Sequence, residues 1–366
     1  MGRVSIKQGV LVLEDGTVFK GMGFGAISTV SGEVVFNTGM VGYTESITDP
    51  SYWGQILVQT YPLIGNYGIS SKDFESSTPK ITGYVISECC INPSHHSSEK
   101  TLDSWLTENN IPGIQNVDTR ALTKKLREEG TMLGILQVSE EEIDIEILKN
   151  RVKNIQDPNK RDLTREVTRK SIDIYGDGKP VVALVDCGVK RSIIDSLVHL
   201  GVSVIAFPVD TPFERVMEYK PDGLLISNGP GDPKKCSAID TVRAALEYGI
   251  PTMGICLGNQ IIALAAGADT YKLKFGHRSQ NQPCIDMETG RCYITSQNHG
   301  FAIDSRSLPR GWREWFVNIN DRSNEGMIHE KKPFMSVQFH PEASPGPTDT
   351  QFLIKRFIKT ILKYKN

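Results

Sequence analysis

A cysteine stands between two glycines in Gly254-Ile255-Cys256-Leu257-Gly258-Asn259-Gln260, at the point where one kind of apolar run gives way to another. Residues Ile250 to Ile255 read as a strand, and Gln260 to Ala266 as a helix. A strand feeding a helix through so short a turn constrains the fold strongly. It belongs to a sheet with helices packed on it, and it puts the turn residue at a helix N-terminus, where the dipole favours a thiolate. The glycines supply backbone angles that residues with a Cβ resist, and they open the approach to the sulfur. This is the layout of a nucleophile elbow. A buried structural cysteine beside a packing glycine is the competing reading.

A base for that sulfur stands downstream. Pro333 to Phe339 reads as a strand and runs into His340-Pro341-Glu342. Side chains alternate along extended backbone, so His340 and Glu342 share a side, and the intervening proline restricts His340 to extended angles. A carboxylate beside an imidazole fixes its tautomer and stabilises its cation. The imidazole can then take a thiol proton and return it to a leaving amine. Alone, the pair is more simply a loop histidine next to a surface glutamate; with the elbow it completes a Cys-His-Glu set.

The surrounding pattern is that of an α/β protein. Pro180 to Asp186, Ser203 to Phe207 and Gly223 to Ile226 read as strands, alternating with helices over Lys190 to Leu200 and Ala238 to Tyr248. Such alternation predicts a doubly wound, mostly parallel sheet, with ligands at the carboxyl edge of its strands. A last helix starts near Asp349 and carries an apolar stripe of Phe352, Leu353, Phe357, Ile361 and Leu362. The amino-terminal half is different, a mixed β-rich α/β region of short strands and turns, with helices near Thr101 to Glu108 and Arg120 to Glu129. Leu11-Val12-Leu13 and Thr17-Val18-Phe19 flank a hairpin turn, and Pro283 to Ile294 forms a second hairpin at Glu288-Thr289-Gly290. We expect an N-terminal domain over 1–154, a polar connection over 155–178 and a C-terminal domain over 179–366.

The motifs together resemble the triad-type, class I glutamine amidotransferases. Gly-Ile-Cys-Leu-Gly-x-Gln and Gln-Phe-His-Pro-Glu carry the likeness, joined by Ser227-Asn228-Gly229-Pro230-Gly231-Asp232-Pro233. Glycine-rich backbone offers N–H groups to a developing oxyanion. A phosphate loop is disfavoured there, because the Gly-Lys-Ser/Thr ending is missing. The first half narrows the resemblance to the small, glutaminase subunit or domain of carbamoyl-phosphate synthetase. Gly32 to Tyr43, Thr48 to Tyr52, Thr60 to Gly68, Val117 to Thr123 and Ser296 to Phe301 all carry it, so the likeness runs from about Val10 to the carboxyl end.

That resemblance implies glutamine hydrolysis by Cys256, His340 and Glu342, through a γ-glutamyl thioester. It implies L-glutamine binding by Ser51, Gly229, Gly231, Leu257, Gln260, Asn298, Gly300 and Phe301, with the amides of Leu257 and Gly231 as oxyanion donors. Ser51 would reach the site from the amino-terminal domain. The chain itself would need no cofactor or metal. Its ammonia would pass to a large synthetase subunit or fused synthetase domain, where ATP, magnesium and bicarbonate are used for pyrimidine or arginine biosynthesis. Position 259 departs from the pattern: Asn stands where many relatives have His, a difference expected to touch glutamine affinity. Ammonia-dependent relatives also carry Asn there but lack the cysteine, whereas Cys256, Gln260, His340 and Glu342 are all present here. A silent scaffold subunit and a stand-alone cysteine hydrolase are the alternatives.

Other features exclude more than they suggest. With 366 residues the chain has room for two cores, and its net charge of −2 offers nothing to nucleic acid. Seven cysteines without framework spacing suit a reducing compartment, and no signal-like or membrane-length apolar run occurs, so a cytoplasmic protein is expected. Gly21-x-Gly23-x-Gly25 reads as turn glycines rather than a dinucleotide fingerprint. Cys89-Cys90 and His95-His96 lack metal-ligand spacing, and His299 reads as structural.

Overall fold

The computed structural model describes residues 7–364 and divides into two compact units, Met1–Lys160 and Arg161–Asn366. In the first unit, seven strands among the described residues close into a barrel, in the order Gln8–Leu13, Val18–Gly25, Pro112–Gln115, Gly83–Val85, Gln55–Gln59, Thr29–Asn37, Met132–Ser139. Closure leaves no exposed edge. The Glu14–Thr17 turn joins the first antiparallel pair, as the hairpin signal predicts. Gly21 and Gly23 are not turn residues but lie within strand Val18–Gly25. A Cβ on Gly21 would meet the Gln115 carbonyl oxygen at 2.1 Å, and one on Gly23 would meet Val138 Cγ1 at 2.6 Å. Close packing in the barrel, not turn geometry, demands these glycines.

The second unit is built on a sheet of ten strands among the described residues. Five central strands run parallel, in the order Ser203–Pro208, Val181–Asp186, Gly223–Ile226, Thr252–Ile255, Phe334–Val337. Asp173–Tyr175 adds antiparallel at one edge, and Asn324–His329, Trp312–Asn318, Thr270–Asp286 and Cys292–Ile303 extend the other edge antiparallel. The stretch 155–178 therefore contains folded elements, the helix Thr164–Val167 and the edge strand Asp173–Tyr175.

The central strands are apolar because both their faces are covered. Along Val181–Asp186, Ala183 and Val185 join one core with helices Ile239–Tyr248 and Leu257–Ala266. Val182 and Leu184 join the other core, with helices Arg191–His199 and Phe352–Tyr364. This period-two division places helices on both faces, the doubly wound arrangement. Four neighbouring strand ends then deliver four segments to one edge. Lys190 follows Asp186, Gly229 to Gly231 follow Ile226, Cys256 follows Ile255, and His340 follows Val337.

Candidate active site

Cys256 itself carries the strain of the elbow, with φ 55° and ψ −105°. Non-glycine residues rarely hold such angles unless their surroundings over-determine them. The flanking glycines do something else than the sequence reading assigns to them. Neither Gly254 nor Gly258 has a positive φ. A Cβ on Gly254 would meet the Gly258 carbonyl oxygen at 2.4 Å, and one on Gly258 would meet the Ile226 carbonyl oxygen at 2.2 Å. They let the helix start pack closely against two strand ends on either side of Cys256. The helix begins at Leu257, directly after the cysteine. The Asn259 and Gln260 amides turn back to the Cys256 carbonyl, at 3.1 and 3.4 Å, and close the first turn.

The Cys256 amide donates to the Val337 carbonyl (2.9 Å), and Sγ donates to the Asn298 carbonyl at 3.5 Å. His340 and Glu342 are buried and meet at 2.6 Å between Nδ1 and Oε1. With Nδ1 held by the carboxylate, Nε2 is the nitrogen left to exchange a proton; it is buried without a hydrogen-bond partner. Burial and the nearby Lys190 charge oppose a charged imidazole here, but Glu342 overrides them and the His340 pKa is raised. Burial would push Glu342 up; the neighbouring Lys190 and His340 charges hold it well below the carboxylate range instead.

Lys190 is the residue that sequence reasoning missed. It is buried, its ammonium lies 2.9 Å from Glu342 Oε1, and it also donates to the Ser344 carbonyl. Its backbone amide donates to Asn228 Oδ1 (3.1 Å), which ties it to the loop after Ile226. A lysine at the start of a helix looks like surface in sequence. Only its place after a central parallel strand could have singled it out.

The other predicted residues are placed as follows. A Cβ on Gly229 would meet the Cys187 carbonyl oxygen at 2.1 Å and Leu257 Cδ2 at 3.0 Å, so Gly229 and Leu257 are neighbours beside the elbow. Gly231 has φ +90° and packs on Leu163. Gln260 is buried, and its Nε2 donates to the Phe301 carbonyl (2.8 Å) and to Gln338 Oε1 (3.0 Å). Asn298, Gly300 and Phe301 lie on strand Cys292–Ile303, with Gly300 beside the buried Arg278 guanidinium. Ser51 belongs to the first unit, on the short turn Pro50–Tyr52, where its amide donates to Asp49 Oδ1.

His299 is held neutral by burial and bonds the Phe301 carbonyl through Nδ1 (2.8 Å). It lies near His277 and Glu325, three side chains close enough to share an ion. They are already engaged with protein partners: His277 with Asp321 and Glu325, Glu325 with Gln297 as well. The cluster reads as a polar core rather than a metal centre. His95 Nδ1 pairs with Ser97 Oγ at 2.7 Å, and its ring lies against His96. No helix among the described residues is long and apolar enough to cross a membrane.

Residues 183–360 match the family model for class-I glutamine amidotransferases, and residues 11–136 match that for the carbamoyl-phosphate synthase small chain, CPSase domain. The carbamoyl phosphate synthase small chain of Archaeoglobus fulgidus is 47% identical, over 97% of this chain and 99% of that one. That of Methanocaldococcus jannaschii is 49% identical, over 96% and 98%. The multifunctional protein CAD of Squalus acanthias is 51% identical over 95% of this chain, which spans 16% of that longer polypeptide. A family model for each half and near-complete alignment with single-length relatives agree: the chain belongs to the carbamoyl-phosphate synthase small-chain family.

Proposed function

We propose that Cys256, His340 and Glu342 form the catalytic triad of a glutaminase. The chain is the glutamine-hydrolysing component of a carbamoyl-phosphate synthase, supplying ammonia to a synthetase large subunit or domain. The observation that carries the triad is the strained Cys256 at a helix start, with the buried His340–Glu342 pair delivered by the adjacent strand.

In this reading Cys256 Sγ attacks the side-chain amide carbon of glutamine. The S–C bond forms as the carbonyl electron pair moves to oxygen, which the amides of Leu257 and Gly231 receive. His340 takes the thiol proton and gives it to the departing nitrogen, so the C–N bond breaks and ammonia leaves. Water then attacks the γ-glutamyl thioester, with His340 accepting its proton. The S–C bond breaks, and glutamate and the thiol are restored. Gly229, Gln260, Asn298, Gly300, Phe301 and Ser51 are assigned to glutamine binding. The chain uses no cofactor of its own. ATP, magnesium and bicarbonate act on the partner, and the complex works in the cytoplasm.

The test is Cys256→Ala in complex with the large subunit. Glutamine-dependent carbamoyl phosphate synthesis should vanish while synthesis from added ammonia continues. Retained glutaminase activity would overturn the assignment.

A further inference from the structure

The helix that starts at the elbow is buried on nearly every side, so any polar side chain within it needs an internal partner. Asn259 has 0% exposure. Its Oδ1 accepts from Ser336 Oγ at 2.7 Å, and its Nδ2 donates to Gln338 Oε1 at 3.1 Å. Both partners lie on the segment that leads to His340. Ser336 is within strand Phe334–Val337, and Gln338 stands two residues before the histidine. Gln338 Oε1 also accepts from Gln260 Nε2, so two donors converge on one oxygen and set the orientation of that amide. The backbone on either side is anchored too, the Gln338 amide to the Glu325 carbonyl and the His340 amide to the Ser296 carbonyl, both at 2.9 Å.

We propose that Asn259 is a positioning residue for His340, acting through Ser336 and Gln338, and is not a ligand of glutamine. The inference rests on the assignment of His340 as the base. The elbow helix carries the nucleophile and the neighbouring strand carries the base, so their separation depends on what ties helix to strand. Asn259 is a buried side-chain tie between them. It spans the gap with one acceptor and one donor, a combination that an amide supplies and a carboxylate does not. Substituting it should alter the Cys256–His340 geometry, on which proton transfer depends steeply, and leave ground-state binding of glutamine in place.

The test uses the complex with its large subunit and the near-isosteric Asn259→Asp. That change keeps an acceptor for Ser336 but sets a carboxylate oxygen against Gln338 Oε1. The expected result is a fall in kcat of about tenfold to a hundredfold with KM for glutamine within about twofold. Alkylation of Cys256 by iodoacetamide should slow in parallel, because that reaction needs the base but not glutamine. Asn259→His, which can donate and accept, should restore kcat to within about threefold of the parent. Ser336→Ala should lower kcat by itself and add little to Asn259→Asp. A KM raised tenfold with kcat kept would overturn the proposal by making Asn259 a substrate ligand. So would kcat, KM and alkylation all unchanged in folded Asn259→Asp. Cys256→Ala, run alongside, separates these failures from a failure of the triad assignment, which alone would leave that variant active.

Discussion

Glu342 Oε1 is shared by two nitrogen groups: Lys190 Nζ lies 2.9 Å away and His340 Nδ1 lies 2.6 Å away. All three groups are buried. A lone carboxylate at such a depth would be costly, and a lone imidazolium equally so. The ammonium keeps Glu342 ionised, and the ionised Glu342 keeps His340 receptive to a proton. The proposed base is thus the outer member of a buried three-residue chain.

Lys190→Met should break that chain at its root. Removing one partner of a buried pair typically costs about 3–5 kcal/mol, because the remaining charge is uncompensated. Denaturant unfolding should show a loss of that order at neutral pH. Glutamine turnover should fall about a hundredfold, because Glu342 no longer holds His340 in place. An unfolding midpoint equal to the parent's would contradict the burial of the pair.

Glu342→Gln preserves shape and removes charge. The His340 pKa is raised in the parent, so its titration in this variant should move to lower pH, as an NMR titration of the imidazole would report. The sign for stability follows. A histidine with a raised folded pKa stabilises fully below its ordinary value near 6.5 and loses that contribution as pH climbs through the raised value. The variant should lack this alkaline loss at His340. Turnover should fall about a thousandfold or more, as for other triads that lose their carboxylate.

Gly258→Ala should damage the elbow without touching a reactive group. Its Cβ would lie 2.2 Å from the Ile226 carbonyl oxygen and 2.8 Å from that carbonyl carbon, both backbone atoms that cannot rotate away. We expect a destabilisation of about 1–3 kcal/mol, as for other overpacked sites, together with slower alkylation of Cys256. Thermal unfolding and thiol labelling measure the two effects.

His277 predicts a second pH signature, in the buried polar cluster with Glu325 and His299. Burial opposes its charge, but hydrogen bonds to Asp321 and Glu325 override that and push its pKa up to about 9. Asp321 is the firmer partner, its carboxyl held well below the usual range with His277 bonded to it, whereas burial raises that of Glu325. The stabilisation is complete below the ordinary histidine value and is lost as pH rises through about 9. The parent's advantage in melting temperature over His277→Gln should therefore be largest near pH 6 and shrink by pH 10. A constant difference across that range would show that His277 acts through packing alone.

Sequence reading could propose the chemistry of this chain because the motifs that suggest it are local. The elbow is seven consecutive residues, the base and its carboxylate are two apart, and alternating strand and helix periods announce the doubly wound sheet. Each depends on short-range backbone geometry, which side-chain order expresses directly. Tertiary structure decided what joins these pieces. Lys190 and Glu342 are 152 positions apart, and Asn259 and Gln338 are 79 apart, so no local pattern pairs them. Parallel strands brought them together, since each connection returns the chain to the same edge of the sheet. The barrel closure and the roles of Gly21, Gly23, Gly254 and Gly258 were likewise settled by neighbours distant in the chain or across a turn. Sequence singled out Cys256, His340 and Glu342 as the proposed triad. Packing put the strain on Cys256 itself, the counter-charge at Lys190 and the tie at Asn259, because burial makes every charge and amide find a partner wherever the fold supplies one.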